Sequence, residues 1–142
     1  MAAVDVTLAL GTNLGDRETN IKVALTLLDL AFGSHYTAIT PVMETAAVGF
    51  DGPAFLNCLV RYRTSRRPLT VLKLCKGVEK AMGRTDAPEY DADGRRIYHD
   101  RIIDVDILYY GKTHMDTPEL KIPHPQVETR AYIKELLLFL HD

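Results

Sequence analysis

Asp104 and Asp106 stand two residues apart within Arg101-Ile-Ile-Asp-Val-Asp-Ile-Leu-Tyr109, a run whose apolar alternation reads as a β-strand. A period of two puts both carboxylates on one face and Ile103, Val105 and Ile107 on the other. Like charges held roughly 7 Å apart on a mid-sheet strand repel and resist desolvation unless a divalent cation, magnesium above all, neutralises them. Taken alone, an Asp-x-Asp is equally what a solvated acidic face looks like. Glu79 falls four residues after Cys75 and three before Met82, on or beside the apolar stripe of a helix, so its carboxylate needs a partner. A ligand amine or ribose hydroxyl can serve, as can water at a helix boundary.

Arg84, Arg95, Arg96 and Arg101 lie at the two ends of a polar stretch, 85–100, with little apolar periodicity. Guanidinium groups so placed can neutralise charge on transferring phosphates once such a loop closes, although a flexible insertion has the same composition. Phe55 and Asn57 alternate on one strand face opposite Leu56 and Cys58, an aromatic ring and an amide suited to a flat, hydrogen-bonding heterocycle. Ile122-Pro-His-Pro125 presents His124 in a stiff turn, where it can bond a phosphate or simply sit at the surface. The chain has neither a Gly-x-x-x-x-Gly-Lys-Ser/Thr loop nor Gly-x-Gly-x-x-Gly, so any ATP site is built otherwise.

The elements that must position these groups follow from periodicity. A strand is predicted over 4–11, then a helix over 17–32 capped by Asp16, with Ile21, Ala24, Leu25, Leu28 and Phe32 at helical spacing. Tyr36 to Glu44 and Phe55 to Thr64 read as strands, joined by a connection at 45–53 longer than a hairpin needs. Pro68 suits the first turn of a second helix reaching about Met82, with Leu72, Cys75, Val78, Glu79 and Met82 on one side and Gly83 as its stop. Ile102 to Tyr110 is the strongest strand, and 126–140 reads as a last amphipathic helix. The order is that of an α+β, ferredoxin-like βαββαβ sandwich with an extra C-terminal helix and a long loop, two helices covering one sheet face and leaving the other free.

With 142 residues, 46% of them hydrophobic, the chain fills one core, so a single domain spanning 1–142 is expected. A net charge of −2 supplies no positive field for a phosphate backbone, which argues against nucleic acid as a partner. Met1-Ala-Ala-Val-Asp5 leads straight into a strand without a basic flank or apolar signal run, and no stretch reaches membrane-spanning length, so a cytoplasmic protein is expected. Cys58 and Cys75 sit in apolar segments and read as reduced core residues.

From Val4 to Leu138 the chain resembles the hydroxymethyldihydropterin pyrophosphokinases of folate biosynthesis. Leu10-Gly-Thr-Asn-Leu14 is similar to their Gly-Ser-Asn-Leu, and Glu44-Thr-Ala-Ala-Val-Gly49 with Phe55-Leu-Asn57 resembles their pterin-binding segments. Glu79-Lys-Ala-Met-Gly-Arg84 resembles the helix end leading into their catalytic loop. Most diagnostic is Arg101-Ile-Ile-Asp-Val-Asp-Ile107, similar to their Arg-x-x-Asp-hydrophobic-Asp-hydrophobic signature and followed by Ile122-Pro-His124 and Arg130. Departures are Tyr98-His-Asp100 where Trp-Gly-Pro is common, and Lys76 where Gln is frequent.

The resemblance implies an ATP-dependent diphosphotransferase, a monomer, acting on ATP and 6-hydroxymethyl-7,8-dihydropterin. It implies that Asp104 and Asp106 hold two Mg²⁺ ions and that Arg84 and Arg101 stabilise the transferring group. Lys76, Glu79, Ile107, His124 and Arg130 would join Arg84 and Arg101 at the nucleotide. Thr45, Ala46, Val48, Phe55, Asn57, Asp104 and Tyr132 would hold the pterin. A transferase with another acceptor, or a non-catalytic ligand-sensing module on the same fold, remain the alternatives.

Overall fold

The computed structural model describes residues 2–47, 51–83, 89–90, 92–94, 96–97 and 102–140. Strand β1 (Val4–Thr12) leads into helix α1 (Arg17–Phe32). The Asp16 carboxylate accepts the Thr19 N–H at 3.1 Å to start that helix, and Gly33, at φ 73°, ends it in the left-handed conformation that a Cβ disfavours. Strands β2 (Ala38–Ile39), β3 (Met43–Thr45) and β4 (Phe55–Thr64) follow, then helix α2 (Pro68–Ala81), whose first turn accommodates Pro68 because its missing N–H has no helical partner. Two short strands, β5 (Glu89–Tyr90) and β6 (Arg96–Ile97), pair with each other within the stretch expected to be a loop. Strand β7 (Asp104–Tyr110), the hairpin β8 (Met115–Asp116) and β9 (Lys121–Ile122), and helices α3 (Gln126–Thr129) and α4 (Ala131–Leu137) complete the described chain.

The main sheet runs β2-β4-β1-β7, with β3 continuing along β4 beyond β2, and every pairing in it is antiparallel. This is the expected ferredoxin-like order, with β4 and β1 at the centre of the sheet. Val6, Leu8 and Leu10 of β1, Leu56, Cys58, Val60 and Tyr62 of β4, and Val105 and Ile107 of β7 face α1 and α2 in one core. There α1 contributes Ile21, Ala24, Leu28 and Phe32, and α2 contributes Val71, Cys75 and Val78. Truncating a side chain such as Leu28, fully buried here, costs about 2–5 kcal/mol by the usual cavity penalty. Cys58 and Cys75 are both buried and free, and burial pushes the Cys58 thiol up to about 12, so neither is a nucleophile.

Four expectations need correction. The strand expected over 36–44 is two strands, because Pro41 has no N–H to give the ladder. Thr40 covers the gap by accepting the Leu59 N–H on its hydroxyl at 2.9 Å. The last helix breaks at Arg130, whose extended backbone, φ −100° and ψ 109°, separates α3 from α4. The second sheet face is also not left wholly free: Val127, Ile133, Leu136 and Leu140 pack on Ala9, Leu59 and Leu108. That second cluster covers one end of the face and leaves the end carrying Gly11, Asn57 and Asp104. Finally, the buried stripe of α2 centres on Val71, with Leu72 and Met82 only half-buried.

Candidate active site

Across the three strands β4, β1 and β7 two rows of residues cross the open face. Gly11 pairs with Asn57 on one side and Asp104 on the other, and Ala9 pairs with Leu59 and Asp106. Two strand spacings set Asn57 and Asp104 about 10 Å apart at their α-carbons. The central strand gives this floor its two smallest side chains. A Cβ on Gly11 would lie 3.3 Å from Asn57 Oδ1 and 3.6 Å from Phe55 Cδ1, so the glycine leaves the amide and the ring uncrowded.

The Asn57 amide is oriented, not loose. Its Nδ2 donates to Met43 O at 3.2 Å and to Thr45 Oγ1 at 2.7 Å, which turns Oδ1 toward Gly11 as an acceptor. Thr45 is half-buried beside it on β3, and Ala46 is exposed next along the chain. The connection before Phe55 is tied down from β1 and α1. Asn13, 1% exposed, donates to Pro53 O at 3.1 Å, and Arg17 donates to Ala54 O at 2.8 Å while pairing with Glu44 at 3.0 Å. Asn20 in turn holds the turn after β1 through Thr12 Oγ1 and Leu14 O. The roles of Gly11, Asn13 and Arg17 escaped the sequence reading, although a glycine inside a strand is itself a sign of close approach.

On β7, Asp104 and Asp106 share the open face while Ile103, Val105 and Ile107 enter the helix-side core, as the period of two requires. Burial, the Asp104 and Glu79 charges and a hydrogen bond with Asp104 push the Asp106 carboxyl well above the usual carboxylate range, against the opposing pull of Lys76. Glu79 is completely buried, its Oε1 3.3 Å from Lys76 Nζ and its Oε2 accepting the Val105 N–H at 2.8 Å. Ile107 is only 2% exposed and belongs to the helix-side core, so it can meet a ligand through its backbone alone.

A bulge completes the acidic end. Thr7 pairs with Tyr109 but Leu8 with Ile107, which leaves Leu108 as an extra residue on β7. The Leu108 carbonyl accepts the His124 N–H at 3.0 Å, docking the proline-flanked turn beside the acids. His124 Nδ1 accepts the Gln126 N–H at 3.1 Å, so the neutral ring carries its proton on Nε2. Burial lowers the His124 pKa against the opposing charge of Asp104, which keeps that neutral, donor form. Tyr132, half-buried, is pushed up by burial, with Arg130 opposing and Asp106 and Asp104 adding to the shift. The structure thus places Glu79 and Lys76 within electrostatic reach of Asp106, His124 within reach of Asp104, and Tyr132 within reach of both acids and of Arg130. Arg84, Arg101, Val48 and Arg95 lie outside the described residues, as does the side chain of Arg96.

An antiparallel sheet backed by two helices, with an acid pair on its edge strand β7 and an oriented amide beside an aromatic ring two strands away on β4, defines a ferredoxin-like fold. A model of the family "7,8-dihydro-6-hydroxymethylpterin-pyrophosphokinase (HPPK)" matches residues 7–142. The chain belongs to this family. It is 36% identical to the 2-amino-4-hydroxy-6-hydroxymethyldihydropteridine pyrophosphokinase of Porphyromonas gingivalis, over 91% of this chain and 85% of that one. The Bacillus subtilis protein of the same name is 33% identical, over 89% and 71%. A mitochondrial folate synthesis bifunctional protein of Pisum sativum is 39% identical over 96% of this chain but only 25% of its own length. A crystal structure of an HPPK-DHPS in complex with substrates shares the fold, with a TM-score of 0.63 and 14% identity over 92% of this chain and 38% of that one.

Proposed function

We propose that this chain transfers an intact diphosphate from ATP to the hydroxymethyl oxygen of 6-hydroxymethyl-7,8-dihydropterin, releasing AMP, as a pyrophosphokinase of folate biosynthesis. The observation that carries the reading is the row Asn57–Gly11–Asp104: a heterocycle held at the amide end has its substituent directed along the sheet toward the acids. Asn57 Oδ1 accepts from the pterin edge, Thr45 and Ala46 bound that edge, and Phe55 and Tyr132 enclose the ring. Lys76, His124 Nε2–H and Arg130 supply donors for the triphosphate.

Asp104 and Asp106 fit a hard divalent cation. Their donors are all oxygen, and burial with the Asp104 charge pushes the Asp106 carboxyl up, a cost that a bound cation would relieve. Two protein carboxylates with the remaining positions left to phosphate and water is a usual way to hold Mg²⁺. Magnesium, two ions on this reading, supplies charge neutralisation and alignment of the phosphates when bound. The chain's own part is to place the hydroxymethyl oxygen in line with the β-phosphorus and to surround the leaving AMP with positive donors, Arg84 and Arg101 included. The new bond is oxygen to β-phosphorus, the bond lost is the bridge to the α-phosphate, and the hydroxyl proton passes to water. Neither a covalent intermediate nor an indispensable protein base is needed.

The chain is read as a single domain acting as a cytoplasmic monomer; among the described residues no helix is long and apolar enough to cross a membrane. The decisive experiment mixes protein, ATP, MgCl₂ and the hydroxymethyl pterin and separates the nucleotide products. AMP in equal amount to pterin diphosphate is expected. ADP would mean ordinary phosphorylation, and unchanged ATP a ligand-sensing module.

A further inference from the structure

Among the described residues the buried polar set contains one carboxylate, Glu79, at 0% exposure. A charge removed from water that completely is retained only where it is matched by donors. One of its partners, Lys76 Nζ, is an ordinary neighbour one helical turn back. Another is not ordinary. Oε2 accepts the backbone N–H of Val105, 26 residues away, at 2.8 Å.

Val105 is the residue between Asp104 and Asp106. Strand β7 ends the sheet, with β1 along one side and no sheet strand along the other among the described residues. An N–H on that outer side, beneath α2, would be a buried donor without an acceptor. Glu79 provides the acceptor and thereby ties α2 to the peptide that joins the two acids. The directions of the Asp104 and Asp106 side chains follow the backbone torsions between them, so whatever holds the Val105 amide holds their separation. The helix does this from the layer opposite the ligands, since Val105 itself is 1% exposed in the helix-side core.

We propose that Glu79 is a positioning residue for the acid pair: its hydrogen bond to the Val105 amide sets the geometry in which Asp104 and Asp106 meet metal and phosphate. This rests on the reading of the acid pair given above. It differs from a direct contact between Glu79 and the nucleotide, and from a purely electrostatic effect of a third negative charge. Replacement by Gln keeps an acceptor and removes the charge; replacement by Leu removes both while filling the space.

The test compares wild type, Glu79→Gln and Glu79→Leu in three measurements: amide exchange at Val105 by NMR in metal-free protein, Mn²⁺ affinity by electron paramagnetic resonance with a non-hydrolysable ATP analogue, and steady-state kinetics. Glu79→Leu is expected to fold, to lose Val105 protection, and to lose about 10- to 100-fold in Mn²⁺ affinity and kcat, the range typical of groups that orient metal ligands. Its KM for ATP should change little. Glu79→Gln should keep Val105 protected and stay within about tenfold of wild type in kcat and Mn²⁺ affinity. Where Leu does not fold, Glu79→Met gives the same comparison with a more adaptable side chain. Wild-type Val105 protection and Mn²⁺ affinity in the Leu variant would overturn the proposal, as would a loss confined to KM for ATP. Equal damage in Gln and Leu would assign the role to charge and overturn it too. A wild type that makes no AMP would defeat the diphosphate-transfer reading instead, and the exchange and Mn²⁺ arms would still decide the role of Glu79.

Discussion

Gly11 and Asn57 face each other across β1 and β4, and a Cβ on the glycine would stand 3.3 Å from Asn57 Oδ1, closer than an ordinary contact. The amide cannot simply swing aside, because Met43 O and Thr45 Oγ1 hold its nitrogen. Gly11 itself lies in extended backbone and is not among the glycines with positive φ, so Ala is tolerable to the fold.

Gly11→Ala is therefore expected to raise the KM for the pterin by roughly tenfold, the cost of about 1–3 kcal/mol for obstructing one hydrogen-bond acceptor. The thermal midpoint and the affinity for an ATP analogue should stay near wild type. Pterin titrations by calorimetry check this; a loss of ATP affinity instead would place Gly11 on the wrong half of the site.

Asp106→Ala should lower turnover by several orders of magnitude while leaving the fold intact, and His124→Ala should cost far less, since the histidine supplies one donor and the aspartate the charge that gathers the phosphates. Near-normal AMP release by a folded Asp106 variant would contradict the mechanism. The same aspartate burdens the fold: burial, Asp104 and Glu79 all disfavour its charge. In EDTA, Asp106→Asn should melt a few degrees above wild type, a shift worth about 1 kcal/mol in a domain of this size.

Arg17 joins α1 to β3 and to the residue before β4, the segments that flank the proposed pterin half, through Glu44 and Ala54 O. The exposed ion pair is worth little by itself, but the carbonyl bond fixes the backbone just before Phe55. Arg17→Ala should raise the pterin KM by about 3- to 10-fold, the worth of one charge-assisted hydrogen bond, and leave kcat within about twofold. A fall in kcat with KM unchanged would count against an anchoring role.

Far from the ligands, Asp29 accepts the Tyr62 hydroxyl at 2.6 Å and lies 2.7 Å from His35 Nδ1. Burial pushes its carboxyl up, but the bonds from Tyr62 and His35, the His35 charge and a backbone bond from Tyr36 outweigh it and leave it below the ordinary 3.8. A folded-state pKa below the unfolded one means that its stabilisation is complete above the ordinary carboxylate value and disappears as pH falls through the lowered one. Asp29→Asn should thus cost about 1–2 kcal/mol in urea unfolding at pH 7, and the gap should narrow as pH falls below the ordinary carboxylate value.

Residues near one another in the chain declared their structure through local rules. The Asp16 cap opened α1, Pro68 opened α2, and period-two alternation put Asp104 with Asp106 and Phe55 with Asn57. Each follows from backbone sterics and side-chain periodicity, which need no distant partner. Pro41 and the break at Arg130 were local signals too, but the outcome depended on Leu59 finding the Thr40 hydroxyl and on α3 and α4 each finding the second face.

What the sequence determined by itself was which side chains share a face, the order of elements, and the family likeness carried by the spacing of its acids, amide and histidine. What only the tertiary structure decided was register: that Gly11 falls between Asn57 and Asp104, that the bulge at Leu108 receives His124, and that Glu79 reaches the Val105 amide. Pairing between strands from different halves of the chain is set by the packing of both sheet faces at once, and a shift of one residue would turn every side chain over. That condition is collective, so no single segment states it.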